Sequence, residues 1–296
     1  ITEELEDHYR AKTATSVAEQ SIVFEYTPAP GQFINETKTG GFTGNEKTPE
    51  AASAYAEQRM KSGTFVSLGG FGGYIVVGFD HSIDNTGSYD FGVEGNSFKG
   101  SSEPGVVWVM QDENGNGKPD DSWYELKGSE TGKETTIQNY AVTYYRPSAP
   151  QQPVKWTDSE GNSGEVDYLK AFHQQDYYYP LWIKEDSYTL TGTCLEGRNY
   201  DQSGNGTYWV NAEYDWGYTD NFSEIDRLNN DDNANAGANA NYLKISNAID
   251  TNGNPVNLDY IDFIKVQTGC NTKSGWLGEN STEVFGFFDY SMMQAD

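Results

Sequence analysis

Cationic side chains, cysteine and histidine are scarce in this 296-residue chain, and each scarcity removes a class of function. Only 19 Lys and Arg stand against 45 Asp and Glu, a net charge of −26, so the chain repels nucleic-acid phosphates and anionic membranes. The three histidines, His8, His81 and His173, are widely spaced, with no H-E-x-x-H for a zinc hydrolase and no G-x-S-x-G for a serine nucleophile. Two cysteines, Cys194 and Cys270, lack C-x-x-C spacing, which argues against zinc and redox catalysis and leaves a disulfide and two inert thiols equally open. There is no run of about eighteen apolar residues, so no transmembrane helix is expected. The chain opens at Ile1 without a signal-like apolar segment and is expected to be a trimmed one.

What is abundant is aromatic and turn-forming. Aromatics make up 14 % of the residues, with 21 tyrosines, and 32 glycines accompany them, a profile of many short strands and turns. A helix start is written at Thr48-Pro49-Glu50, hydroxyl cap followed by proline in the first turn, and Gly63 closes it. After it, strands are expected at 64–79, 89–93, 105–110, 122–127, 140–145, 188–193, 206–214, 241–245, 259–268 and 283–290. Strands without intervening helices give antiparallel sheets, hence an all-β sandwich or jelly roll with one short helix and long loops. Residues 1–20 read as a linker or tail, and 21–296 as one domain. The run Gly69-Gly70-Phe71-Gly72-Gly73 lacks the following helix a phosphate cradle needs and reads as a bend where backbones pack closely. The polar tract 229–241 reads as an exposed loop.

The stretch Asp112-Glu113-Asn114-Gly115-Asn116-Gly117-Lys118-Pro119-Asp120-Asp121 alternates oxygen-bearing side chains over glycines, as a loop wrapping a hard cation does. Asp112, Asn114, Asn116 and Gly117 fit the pattern D-x-[DN]-x-[DN]-G, but the twelfth position, where a bidentate glutamate belongs, is Trp123. The candidate ligands of a structural Ca²⁺ are Asp112, Asn114, Asn116, Lys118, Asp120 and Asp121, with modest affinity, about 10⁻⁴ M or weaker. A polar turn without metal is the competing reading. A second alternation at Asp250-Thr251-Asn252-Gly253-Asn254-Pro255 reads better as a hairpin turn at Asn252-Gly253.

Several segments carry a resemblance: Tyr26 to Phe33 (YTPAPGQF), Gly69 to His81, Val107 to Asp112, Tyr208-Trp209-Val210, Trp216 to Asn221 and Tyr260 to Gly269. Together they resemble cell-surface lipoproteins of gut Bacteroidetes, over nearly the whole chain from Ser21. The resemblance implies a galactose-binding-like jelly roll, often downstream of Ig-like or PKD-like modules, and a lipid anchor upstream of Ile1 on the outer face of the outer membrane. It also implies a place beside an outer-membrane transporter for glycans or corrinoids. It supplies no catalytic signature.

Sugar rings stack on aromatic faces and are oriented by Asn, Asp and Gln. The aromatic candidates are Tyr178 and Trp182 in the run 177–182, Trp216 and Tyr218 in the region 209–218, and Trp276 in a glycine-flanked loop. Spacing of two would put Tyr214, Trp216 and Tyr218 on one face of an extended chain, a row that suits packing better than a platform. The expected function is a calcium-stabilised module capturing a glycan or corrinoid. The alternatives are a structural spacer and, with less support, a glycosidase drawing on the many carboxylates.

Overall fold

The strand Tyr260–Thr268 lies inside the largest sheet and is buried at every position but Lys265. It pairs antiparallel with Tyr74–Asp84 on one side, Val266 opposite Ile75, and with Gly105–Met110 on the other, Val266 opposite Val107. A strand covered on both faces buries its polar members too, and Asp262, Gln267 and Thr268 are each hydrogen-bonded there. Lys265 is accommodated because Trp108 and Trp123 present their rings 4.9 Å from its Nζ, and burial pulls its pKa down to about 8.

The chain is described from a computed structural model that covers residues 7–228 and 239–293. Ile22–Thr27 extends the sheet beyond Tyr74–Asp84, while Tyr124–Leu126 and Ala248–Ile249 extend the opposite edge. A second sheet runs in the order Ser187–Cys194, Ile137–Tyr145, Val154–Asp158 and Ser163–Val166, and a third combines Asn239–Leu243, Phe91–Gly95 and Gly286–Asp289. All these pairings are antiparallel, as expected of an all-β sandwich. One buried cluster joins side chains of all three sheets, such as Val77, Val142 and Val93, with Ala52 and Ala56 of the helix.

That helix is Pro49–Lys61, capped by Thr48 Oγ1 accepting the Ala51 N–H at 3.1 Å, and Gly63 follows it in left-handed backbone. The expected strand 64–79 is broken in two, Val66–Ser67 and Tyr74–Asp84, by the glycine run. Gly69 has φ +70°, and a Cβ on Gly73 would overlap the Leu68 carbonyl oxygen and stand 2.5 Å from the Ala29 nitrogen. The bend is therefore a close backbone approach, as its composition suggests. Strands at Ile22–Thr27, Val154–Asp158, Ser163–Val166 and Asn199–Asp201 had no clear alternation to announce them. The tract 229–238 lies outside the described residues, and the remainder of the expected loop begins the strand Asn239–Leu243.

Residues 7–20 are not a free tail. The Arg10 guanidinium pairs with buried Asp262 at 3.0 Å, Tyr9 donates to Asp84 at 2.7 Å, and the backbone from Ala18 to Gln20 bonds to the strand Gly286–Asp289. The Asn252-Gly253 turn forms, with the Gly253 N–H donating to Asp250 O and the Asp250 N–H to Asn254 O. Asp250 Oδ1 accepts the N–H groups of Asn252 and Asn254, so its side chain closes the turn. The two cysteines are free thiols, and burial pushes Cys194 up to about 12 and Cys270 to about 11.

Glu125 sits on the strand Tyr124–Leu126, opposite Trp108 and Ile249, and its Oε2 accepts the Thr193 hydroxyl at 2.9 Å. Burial pushes its carboxyl up to about 7. A carboxyl raised on folding stabilises the fold fully below its unfolded value and loses that contribution as pH climbs through the folded one. Glu125→Gln should therefore flatten the fall in stability between about pH 5 and 8, by roughly 3 kcal/mol at the alkaline end. Urea titrations of both proteins across that range measure it, and parallel curves would refute the assignment.

Candidate functional site

Three acidic side chains from distant segments meet beneath one surface cleft. Glu103 lies two residues before the strand Gly105–Met110, Asp220 lies on an irregular crossing, and Glu283 opens the short strand Glu283–Val284 paired to Val66–Ser67. The backbone brings them together: Gly105 and Thr219 exchange two hydrogen bonds of 3.0 Å, and the Glu103 N–H donates to Asp220 O at 2.9 Å. Asp220 Oδ2 accepts the Glu283 N–H at 3.0 Å and Oδ1 the Asn96 N–H at 3.0 Å. Glu103 Oε1 accepts the Ser281 N–H at 3.1 Å, and Glu283 Oε1 accepts the Ser281 hydroxyl at 3.0 Å. Asp220 holds φ +49°, a left-handed conformation that a non-glycine residue keeps only where its surroundings impose it.

Asp220 and Glu283 are almost completely buried, and Glu103 is half-buried. Burial, then the neighbouring Asp220, pushes Glu103 up to about 8, and burial alone takes Asp220 to about 7. Glu283 is raised well above the usual carboxylate range by burial and then by Glu103 and Asp220. Nearby Glu279, whose Oε1 accepts the Gln32 N–H at 2.9 Å, is raised by burial to about 8. Like charges in a dry site cannot all ionise, so at neutral pH this cluster holds protons.

Above it lies a cleft of about 320 Å³ lined by Glu103 and Glu283 together with Phe98, Phe172, Trp276, Asn96, Asn211 and Gln32. Phe98, Phe172 and Trp276 are 58 %, 50 % and 45 % exposed, large values for aromatic rings in one place. Phe172 and Trp276 form a tilted pair with ring centres 5.7 Å apart. Trp276 is presented by the turn Gly275–Leu277, with Gly275 at φ +53° directly over the indole of Trp209. Gln32 Nε2 donates to Leu277 O at 2.7 Å, and the Ser274 hydroxyl donates to Asn211 Oδ1 at 2.7 Å, which hold the turn to the domain. On the same wall His173 Nδ1 meets Glu36 at 2.5 Å.

Of the aromatic residues singled out from sequence, Trp276 belongs to this cleft and the others do not. Tyr178 is fully buried, its hydroxyl donating to His173 O and accepting the Leu169 N–H, and Trp182 is a core residue at 9 % exposure. Tyr218 is buried against Tyr214, its hydroxyl accepting the Glu130 N–H. These three cannot offer a ring face to a ligand, because the sandwich has already covered both sides. Trp216 is half-buried and lines a separate cleft of about 370 Å³ with Tyr89 and Ile225. Phe98 and Phe172 were missed; each is an isolated phenylalanine in a polar stretch, and that placement was their one signal.

The loop Asp112–Asp121 folds back on itself. Asp112 is buried, its two carboxylate oxygens accepting the N–H groups of Asn116 at 3.2 Å and Gly117 at 2.9 Å. Asn114 and Asn116 turn their amide nitrogens to Asp120, Lys118 O accepts the Asp120 N–H, and Asp121 accepts the Glu113 N–H. Each of these oxygens keeps a lone pair free, so the donor set suits a hard cation. Yet the only acidic group among the described residues whose ligand atoms all approach within 4.8 Å of one another is Glu103, Asp220 and Glu283. No helix among the described residues is long and apolar enough to cross a membrane.

No protein-family model matches this chain, and no curated protein sequence matches it.

Proposed function

We propose that this domain captures a neutral, polar, ring-containing ligand, a glycan first and a corrinoid second, in the cleft rimmed by Phe98, Phe172 and Trp276. The observation that carries the reading is the meeting of exposed aromatic faces with carboxyl, amide and histidine side chains in one concavity. Stacking supplies affinity to such a ligand, and the polar wall fixes its hydroxyl pattern. A net charge of −26 favours neutral or cationic ligands over anionic ones. In this reading the loop Asp112–Asp121 binds a structural Ca²⁺, and the domain serves at the outer face of an outer membrane, passing its ligand to a transporter.

Capture is favoured over glycoside hydrolysis by the spacing of the acids. Retaining glycosidases hold their two carboxyl groups about 5–5.5 Å apart and inverting ones further. Here one oxygen from each of the three carboxyl groups lies within 4.8 Å of the other two, a close three-acid knot and not a separated acid and nucleophile.

The test is a binding screen of host and plant glycans and cobalamin, with calcium and with chelator, on wild type and on Trp276→Ala and Phe172→Ala. The expected result is a ligand whose affinity falls about tenfold or more in Trp276→Ala, the loss of one stacked ring, while Tm moves little because the ring is half-exposed. Equal binding by Trp276→Ala would remove the cleft from the account. Silence of the folded wild type across the panel would leave a structural spacer as the better reading.

A further inference from the structure

We infer that Glu103, Asp220 and Glu283 form a binding site for a divalent cation of the calcium class at the floor of the aromatic cleft, separate from the loop Asp112–Asp121. The inference stands whether or not the cleft takes a glycan.

Four observations converge on it. The first is size. Calcium is held by oxygens at about 2.3–2.6 Å, so two ligands on opposite sides of one ion stand up to about 5 Å apart, and oxygens of these three carboxylates all lie within 4.8 Å of one another. The second is charge, because among the described residues no Lys, Arg or His pairs with any of the three. Buried carboxylates are ordinarily paired or bound to a metal.

The third is an orphaned atom. Glu283 is 2 % exposed, and while its Oε1 takes the Ser281 hydroxyl, its Oε2 is buried with no hydrogen-bond partner. Its carboxylate faces that of Glu103, and two facing acceptors have nothing to share unless a proton or a cation stands between them. The fourth is access, since Glu103 and Glu283 both line the cleft and an ion can enter from solvent. The ligand chemistry sets the class of ion. All donors are hard carboxylate oxygens, with no imidazole or thiolate among them, which selects calcium, magnesium or manganese over zinc and copper. Donors drawn from irregular segments suit calcium's flexible coordination better than magnesium's strict octahedron.

The backbone contacts explain how the site stays assembled without an ion. Ser281 bridges Glu103 and Glu283, and Asp220 receives the Glu283 N–H, so the carboxylates are oriented before any metal arrives.

The experiment uses the full chain, stripped with chelator and titrated calorimetrically with Ca²⁺, Mg²⁺ or Mn²⁺, with Tm followed in parallel. Asp112→Asn/Asp120→Asn removes two of the loop's three candidate carboxylate ligands, so binding that survives in it at full affinity, and is then lost with the cluster's own variants, belongs to the cluster. The expected result is one ion per chain retained by that double variant, and a loss of more than about tenfold in affinity when Glu283→Gln or Glu103→Gln is added. Both glutamine replacements are near-isosteric and remove a like charge, so the chelated proteins should melt no lower than wild type. Should Glu283→Gln fail to fold, the more exposed Glu103→Gln carries the test. Absence of binding by all three metals in the double variant would overturn the inference, as would titrations unchanged by Glu103→Gln.

Discussion

Gly73→Ala should cost about 4 kcal/mol and lower Tm by roughly 8–12 °C, the largest loss expected of any single methyl group added to this protein. The added Cβ would be driven into the hydrogen bond from the Ala29 N–H to the Leu68 carbonyl, with backbone on both sides of it. Backbone tied down by hydrogen bonds, as Leu68 is to Thr282 and Ala29, cannot swing aside as the tip of a side chain can. Overpacking therefore adds to the penalty of two buried polar groups left unsatisfied. Gly253→Ala is the informative control. That glycine also has a demanding conformation, φ +80°, but nothing lies within 4 Å of where its Cβ would stand, so only the strain of a left-handed alanine remains, about 1 kcal/mol. Thermal melts of the two variants should differ several-fold in effect, and equal losses would show that the glycine run is not a packing device.

Asp262→Ala should destabilise by about 3–5 kcal/mol, since it leaves the buried Ser82 and Asp112 donors unsatisfied at about 1–3 kcal/mol each and frees the half-exposed Arg10. Asp262 is 1 % exposed and accepts four hydrogen bonds from three groups: the Ser82 hydroxyl at 2.6 Å, the Asp112 N–H at 2.8 Å, and the Arg10 guanidinium through Nη2 at 3.0 Å and Nε at 3.3 Å. Its removal strands all of them at once. The structural consequence should be graded along the chain, since residues 7–20 lose their principal anchor while the sandwich core keeps its packing. Limited proteolysis should cut that segment faster in Asp262→Ala than in wild type, and Arg10→Ala should reproduce the cutting with a smaller loss of stability. If the segment stays protected in both variants, the ion pair is not what holds it.

Asp262 also receives the N–H of Asp112, the first residue of the candidate cation loop. One carboxylate thus ties that loop to residues 7–20.

How much of this could be read from sequence depends on the range of the interaction. Thr48-Pro49 announced the helix and Gly105–Met110 its strand, because capping and a short apolar run are local. The glycine run was legible for the same reason, since the missing side chains are themselves the message. Residues 7–20 were misread as a tail because their low hydrophobicity hid an attachment made of polar contacts. Tyr178, Trp182 and Tyr218 could not be told from Trp276 by composition, as the covering layers come from elsewhere in the chain. The acidic cluster was illegible for the same reason, with 45 acidic residues to choose from and three members set far apart. Only the fold selects Glu103, Asp220 and Glu283, and the left-handed backbone of Asp220 marks the selection.

The pairing of Ala18–Gln20 with Phe287–Asp289 brings the first and last described segments side by side. Because the pairing is antiparallel, the chain enters and leaves at the same end of it. A pull between Ala18 and Asp289 would unzip this short ladder one bond at a time, whereas a pull reaching the domain through residues 7–17 would first load the Arg10–Asp262 pair and, through it, the six-stranded sheet. Mechanically the N-terminal segment is in series with the central sheet through a single buried carboxylate, Asp262, while the C-terminal strand Gly286–Asp289 is held at the edge of the three-stranded sheet.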